Sequence, residues 1–263
     1  MQTFNASDPI TLHAEFPAGD LIVVTTDRQD ATIEVLPSRK READVAYARE
    51  VTVEQVGDTI RVVAPDVSWL RRTPSIEVRV SMPAHSHLRA RTASADITAR
   101  GPLGEVTVTT ASGDVAMSHA ATLTAKSASG DIKVDVIDDG ADVNNTSGDI
   151  RLVTAGGPLQ LTTASGSMHV SKAASEIRAK SASGDLRVDQ ASSGRITAQT
   201  ASGDMEIAVT RGTAAWLDVS SISGKVRSDL TQGEDPGPEE RTIEISARSL
   251  SGDITIRRTE LSR

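Results

Sequence analysis

The feature that most constrains this chain is a tripeptide, Ser-Gly-Asp or a close variant, which recurs along residues 94–253. Successive copies lie 17 to 21 residues apart, except that the last step is 28 residues. So regular a spacing is typical of one supersecondary unit that is repeated and stacked. A catalytic motif is needed once, whereas a bend is needed in every unit, so the motif predicts a corner of the fold. The serines of the nine copies are Ser94, Ser112, Ser129, Ser147, Ser165, Ser183, Ser202, Ser223 and Ser251.

Apolar residues alternate with polar ones on both sides of each motif. Counted from the Ser, positions −6, −4, +3 and +5 are mainly aliphatic, as in Leu159, Leu161, Met168 and Val170 around Ser165. Alternation with a period of two is typical of a strand that is buried on one face. Each unit is therefore predicted to run strand, corner, strand, and we name this unit a rung and the four aliphatic positions its inward columns.

A single rung cannot bury its inward columns alone, so successive rungs are expected to stack in register and share one core. The sequence thus predicts an all-β protein, a parallel β-solenoid resembling a β-helix with rungs of about 18 residues. We expect a right-handed coil, because connections between parallel strands of one sheet are right-handed. Left-handed β-helices show a six-residue sub-period, which this sequence lacks.

The second and third residues of the motif have separate physical roles. Glycine suits a bend where φ is positive or where backbones crowd. Aspartate at the third position is predicted to accept backbone N–H groups at the turn, as in Asx turns. The alternative is a ladder of carboxylates that binds cations, although Lys133, Arg151 and Arg187 lie on the same face and relieve the repulsion.

The chain divides into two predicted regions. Residues 1–86 lack the 18-residue columns but contain alternating β-branched segments, so we predict an N-terminal β-rich cap that grades into the solenoid, with a short helix within 38–50. Residues 87–263 hold the rungs, and residues 231–241, rich in Gly, Pro and acidic residues, are predicted to form an inserted loop.

Composition excludes several classes of function. The chain has no cysteine, which removes disulfides and thiolate chemistry, and its net charge of −8 argues against nucleic acid as a partner. It has no apolar run long enough to insert into a membrane. Its N-terminus shows no signal-peptide pattern, so we expect a cytoplasmic protein, with envelope association as the alternative.

Few residues are candidates for chemistry. His85 and His87 could share one face as metal ligands, but they follow Pro83 at a predicted turn, where solvated histidines are the simpler interpretation. Trp69 and Trp216 could stack on sugars, or pack in the core or cap. Phosphate-loop, nucleophile-elbow and zinc-protease motifs are absent. The sequence therefore predicts no catalytic residue, no cofactor and no metal site.

Three stretches resemble one large bacterial family of uncharacterised β-solenoid domains, often labelled as adhesins. They are the recurring "SASGDI" corner, the opening "GDLIVVTTDRQDATIEV" and the segment "SIEVRVSMPAHSHLRARTASADI". The resemblance covers nearly the whole chain. It implies the solenoid fold and supplies no catalytic residues, and many members of the family are tied to the envelope through a membrane segment.

Uniform repetition without a singular polar cluster favours a non-enzymatic scaffold or interaction module. Its flat polar faces are expected to bind a protein or a glycan partner. Two alternatives remain open at this point. One is a carbohydrate-active enzyme of β-helix type, since paired carboxylates suffice for glycoside cleavage. The other is cation binding along the Asp ladder.

Overall fold

A computed structural model describes residues 1–6, 8–66, 73–230 and 241–259 of the chain. Strands dominate these residues, and one short helix accompanies them. The chain divides into two compact units, residues 1–134 and 135–263. None of the described helices is long and apolar enough to cross a membrane. The predicted loop at 231–241 falls outside the described residues except for Arg241, and so does Trp69.

Strands and the helix follow one another with short connections. The elements up to residue 129 are β1 (Gln2–Asn5), β2 (Thr11–Thr26), β3 (Asp30–Pro37), α1 (Glu42–Glu50), β4 (Thr52–Val56), β5 (Thr59–Val63), β6 (Ile76–Pro83), β7 (His87–Thr110) and β8 (Val115–Ser129). The strands that follow are β9 (Ile132–Ser147), β10 (Ile150–Ala155), β11 (Leu159–Ser165), β12 (Met168–Ala173), β13 (Ile177–Ser183), β14 (Leu186–Ala191), β15 (Gly194–Ser202), β16 (Met205–Val209), β17 (Thr213–Ser221), β18 (Val226–Ser228), β19 (Arg241–Ser251) and β20 (Ile254–Arg258).

Equivalent strands of neighbouring rungs pair in parallel, with equivalent columns side by side. In the second unit, β11 pairs with β13 so that Leu159 lies beside Ile177, and β13 pairs with β15 so that Ile177 lies beside Ile196. The inward columns are buried, and Leu161 and Val170 are fully covered. The predicted all-β class and the parallel β-solenoid are therefore confirmed.

The glycine of each corner allows rungs to stack backbone on backbone. Gly184 has a φ of +141°, and a Cβ built on it would lie 2.1 Å from the carbonyl oxygen of Gly166. Any side chain would therefore both strain the backbone and collide with the rung below. This contact explains why the second residue of the motif is glycine in eight of the nine copies.

A rung also lies within the residues that the sequence assigns to the N-terminal cap. Strand β2 pairs in parallel with β7, so that Leu12 lies beside Leu88 and Leu21 beside Ile97. Gly19 occupies the corner position beside Ala95. The opening stretch that echoes the repeat is thus one rung, which is followed by an excursion of the chain before the next rung begins at β7.

Antiparallel strands and the helix form that excursion. Strand β4 pairs antiparallel with β5, and β3 pairs antiparallel with both β1 and β6. Strands β5 and β6 pair in parallel with the two halves of β2. Helix α1 lies within the predicted segment 38–50 and packs on β3 and β6.

The rungs do not stack in chain order at the end of the second unit, which corrects the expectation of successive stacking. Strand β19 pairs with β15 on one side and with β17 on the other, and β20 lies likewise between β16 and β18. The last rung in the sequence is thus inserted between the two that precede it. The long step between Ser223 and Ser251 gives the chain the length to return, and the inserted rung has the more complete set of aliphatic inward residues.

Candidate functional site

The corner aspartates hold the rungs together. In the first unit, the Asp114 backbone N–H donates to Oδ1 of Asp96 at 2.9 Å. In the second, the N–H of Asp204 donates to Oδ1 of Asp185, and the N–H of Asp253 donates to Oδ1 of Asp204, each at 2.8 Å. One carboxylate oxygen of each acceptor is thereby engaged by a backbone N–H of the neighbouring rung, whereas the Asx-turn prediction placed that donor in the turn of the Asp itself.

The same column offers little to a cation. Burial, followed by the neighbouring charges of Asp96 and Glu77, raises the pKa of Asp20. Burial and nearby like charges both disfavour the ionised carboxylate. Over residues 1–6, 8–66, 73–230 and 241–259, no group of three His, Asp or Glu side chains is placed to hold a metal ion.

The two histidines that the sequence singled out lie in different elements. His85 lies in the turn after β6 with a φ of +61°. The Nδ1 atom of His87 accepts the backbone N–H of Glu105 at 2.9 Å, so one of its ring nitrogens already binds the adjacent rung. The His87 ring therefore has a structural role between rungs.

A chain of charged side chains runs along the outward face of the second unit. Nε2 of His169 lies 2.7 Å from Oδ2 of Asp189, whose Oδ1 accepts Nε–H of Arg187 at 2.7 Å. Arg187 also donates to Glu206, which accepts from Arg257 as well. Burial raises the pKa of Asp189, but the hydrogen bonds from His169 and Arg187 outweigh it and hold that pKa below its usual value.

This network is not arranged as a nucleophile–histidine–carboxylate triad. A triad needs a nucleophile bonded to the histidine, and the carboxylate occupies the Nε2 atom of His169. The described residues provide no hydroxyl group hydrogen-bonded to that ring. Alternating charges on adjacent rungs instead neutralise each other, as on many exposed sheet faces. Sequence analysis missed the pairing because the two residues stand 20 positions apart on different rungs.

A cleft of about 640 Å³ lies in the first unit and is large enough to hold a ligand. It lies beside β2, where the rung reaches its corner. Glu15 on β2 and Arg91 on β7 are register partners at its edge, and Phe16 is buried in its wall. The lining consists of residues 15–17, 63–66, 73 and 91–93.

Backbone and side-chain hydrogen bonds hold the wall of the cleft formed by residues 63–66. The Ala64 N–H donates to the carbonyl oxygen of Glu15 at 2.9 Å. The Tyr47 hydroxyl on α1 donates to the carbonyl oxygen of Pro65, also at 2.9 Å. Residues 63–66, which belong to the segment between β2 and β7 that interrupts the repeat, therefore form one wall of the cleft, and β2 of the first rung forms another.

The lining combines one guanidinium, two carboxylates and a largely aliphatic or proline surface. Arg91 can donate to a carboxylate or phosphate, and Glu15 and Asp66 can accept from hydroxyl or amide groups. Val63, Pro17 and Pro65 offer apolar contact. Sequence analysis missed this site because its residues come from four separated stretches of the chain. Its one available signal was that the repeat breaks between β2 and β7.

The second predicted sugar platform is exposed. Trp216 lies on the outward face of β17 beside Glu244 and keeps 58% of its surface accessible, so it packs in neither core nor cap.

Comparisons with known proteins cover nearly the whole chain. A family model described as Toastrack DUF4097 matches residues 11–260. No curated protein matches the sequence. A solved structure described as a "putative adhesin" from Parabacteroides distasonis ATCC 8503 is 13% identical, with a TM-score of 0.48. A "putative adhesin" from Bacteroides fragilis NCTC 9343 is 11% identical, with a TM-score of 0.45, and a "putative lipid binding protein" from Parabacteroides distasonis ATCC 8503 is 14% identical, with a TM-score of 0.44. Each of the three alignments covers 97% of this chain and 95% of the other.

Proposed function

The chain belongs to the Toastrack DUF4097 family, and on that premise we propose that it is a non-enzymatic interaction module that binds a protein or glycan partner in the cleft of its first unit. The observation that carries the proposal is the cleft itself, which departs from the repeat and combines opposite charges with apolar walls. The repeated Asp is already used in holding the rungs. The cleft is therefore the best-supported place for recognition.

Size and chemistry suit a short segment of a larger partner. A volume of about 640 Å³ accommodates a few amino-acid side chains or sugar rings. Proline and valine surfaces pack against an aliphatic side chain or the apolar face of a sugar. Arg91 and Glu15 then fix the orientation through charged hydrogen bonds, which are stronger than neutral ones.

The test compares two arginines on one strand. Arg91 lines the cleft, whereas Arg89 lies two residues earlier on the same outward face and does not line it. Wild-type protein, Arg91→Glu and Arg89→Glu are applied to a glycan array and to an affinity capture from the native cell. We expect Arg91→Glu to lower the affinity for the captured ligand at least ~10-fold, about 1.4 kcal/mol. Arg89→Glu should leave that affinity unchanged. Equal weakening by both variants, or no ligand for the wild type, would reject the cleft as the site.

A carbohydrate-active enzyme is the second candidate, because Glu15 and Asp66 both line the cleft. Two carboxylates are the minimum for glycoside hydrolysis. A panel of polysaccharides incubated with the wild type and with Glu15→Gln decides between the two. Turnover that disappears in the variant would replace the binding proposal by this one, and binding without turnover would support the module.

A further inference from the structure

The second unit ends in a rung that is paired on one side only. Strand β17 pairs with β19, and β18 pairs with β20. Among the strands of the described ranges, none lies against the outer edges of β17 and β18. An unpaired edge presents a row of backbone N–H and C=O groups that can pair with another chain.

The inward columns of this terminal rung are open to solvent. Leu217 is 40% exposed and Val226 is 45% exposed. Their counterparts one rung further in, Ile245 and Ile254, are fully buried. The difference arises because each inward residue is covered by the rungs on both sides, and the terminal rung has a neighbour on one side only.

Apolar residues also collect on the outside of the terminal corner. Ile222 is 78% exposed, and Leu250 on the adjacent corner is 56% exposed. The Ser223 N–H donates to the Leu250 carbonyl, which places these two corners side by side. Both residues precede the motif Ser, a position that is alanine or threonine in every other copy: Ala93, Ala111, Ala128, Thr146, Ala164, Ala182 and Ala201.

The corner ladder, which is the series of hydrogen bonds from a corner N–H group to the aspartate of the neighbouring corner, stops at the terminal rung. The terminal motif has Lys225 where the others carry an acceptor, and the Lys225 N–H donates inward to Asp253 Oδ1 at 2.8 Å. A further rung stacked in the same direction would find no carboxylate to receive its corner N–H group. Parallel stacking of another chain at this end would therefore lack the carboxylate hydrogen bond that joins most neighbouring corners.

We propose that the terminal rung binds the same rung of a second copy of this chain, related by a two-fold axis. A two-fold contact joins two identical patches, so each copy covers the apolar residues of the other. The strands then meet antiparallel, which needs no corner ladder. Strands β1 and β4 of another copy are shorter than β17, and among their residues Val56 is the one exposed apolar side chain, so they offer less apolar surface than the terminal rung.

The charges of the rung fit self-association. Residues 213–230 contain two acidic residues, Asp218 and Asp229, and two basic ones, Lys225 and Arg227, so their net charge is zero in a chain that carries −8. Two such rungs can therefore meet without net repulsion between them. A two-fold axis also brings unlike residues together, so that acidic groups of one copy can face basic groups of the other.

The experiment measures the mass of the full chain in solution by sedimentation equilibrium. At ~100 μM chain, well above a micromolar dissociation constant, we expect a mass about twice the 27.6 kDa of one chain. The double variant Ile222→Glu/Leu250→Glu places charge on two exposed corners and should return the mass to one chain. Because both residues are exposed, the variant should keep its fold, which thermal unfolding verifies.

The matched control is Ala182→Glu, the same motif position on an interior rung, where the side chain is also exposed. It should keep the doubled mass. A wild type that stays at 27.6 kDa, a double variant that stays dimeric, or assemblies larger than two chains would each overturn the proposal. So would a wild-type monomer that dimerises when residues 231–240 are replaced by a Gly-Ser linker of equal length, because that segment would then cover the rung.

Discussion

The two units end their parallel stacks in different ways. Strand β5 is the outermost parallel strand beside Leu12, and the antiparallel β4 covers its other edge, so that Ile60 is fully buried. Strand β17 is the outermost parallel strand beside Ile245, and Leu217 in the same inward column is 40% exposed. The same repeat is thus closed by antiparallel strands in one unit and left open in the other.

The edge strands of the two units also differ in length and polarity. Strands β1 and β4 are four and five residues long and mainly polar. Strand β17 has nine residues, including an exposed Trp216, and its one charged side chain, Asp218, is paired with Arg248 at 3.0 Å. Short polar edges are a common protection against unwanted pairing. The comparison indicates that the first edge is protected from pairing and that the second is suited to it.

The largest loss of stability is expected at the corner glycines of interior rungs, away from both ends of the stack. Gly184→Ala should lower the free energy of unfolding by roughly 3 kcal/mol or more, because the new Cβ meets the carbonyl of Gly166. Gly57→Ala and Gly212→Ala, one in each unit, should each cost only about 1 kcal/mol, since both have positive φ but open space around them. Urea unfolding followed by circular dichroism gives all three values. Equal costs would mean that the close approach of the rungs contributes nothing.

The next loss of stability compares the covered end of the first unit directly with the open end of the second. Ile60→Ala removes a buried side chain under a covering strand and should cost ~3 kcal/mol. Leu217→Ala, in the equivalent column of the open rung, should cost ~1 kcal/mol or less when measured on dilute, monomeric protein. If the two costs agree, the terminal rung is covered in solution even in the monomer.

A smaller effect is expected along the corner ladder. Asp204→Ala removes the acceptor for the N–H of Asp253 and should cost about 1 kcal/mol. Asp204→Asn keeps an acceptor oxygen and should recover most of the loss. Lys225→Ala at the terminal corner should change the free energy of unfolding by less than ~0.5 kcal/mol, because no rung depends on that side chain. A large cost at Lys225 would show that its side chain makes a stabilising contact at the terminal rung.

A further effect concerns the covered end alone and depends on pH. Burial first, and then the charges of Asp66 and Glu50, raise the pKa of Tyr47 to about 12. An unfolded tyrosine ionises near pH 10, so the folded chain holds the proton more tightly. The contribution of this proton to the free energy of unfolding is fully present below pH ~10 and is lost as the pH rises towards about 12.

The chain has a single tyrosine, so absorbance at alkaline pH reports this group alone. The titration should have its midpoint near the raised value. Tyr47→Phe should remove this contribution to the pH dependence of unfolding between those limits. A midpoint near pH 10 in the folded protein would contradict the burial of the hydroxyl against Pro65.

Much of the fold could be predicted from local pattern. The spacing of the Ser-Gly-Asp motif predicted the rungs, and the alternation of apolar and polar residues predicted the inward columns. The pairing of Leu159 with Ile177 confirms both predictions. The stacking order at the end could not be predicted, because equivalent columns of Ser202, Ser223 and Ser251 are compatible with either order. The only hints were the 28-residue step, Lys225 in place of Asp, and the larger Ile222 and Leu250 before the Ser.

The cleft illustrates the other limit of local pattern. Glu15, Asp66 and Arg91 come from three segments whose proximity depends on how β2, β5 and β7 pair. No spacing along the chain encodes that proximity. The pairing of His169 with Asp189 was missed for the same reason.

The sequence by itself determined the rung, because a repeated corner and a two-residue period specify local geometry and the buried face at every copy. The tertiary structure alone decided which rung lies outermost, which edge is covered, and where the chain departs from the stack to form a cleft. These features depend on pairing between residues far apart in the chain. Equivalent columns make several such pairings locally alike, and only the packing of the ends distinguishes them.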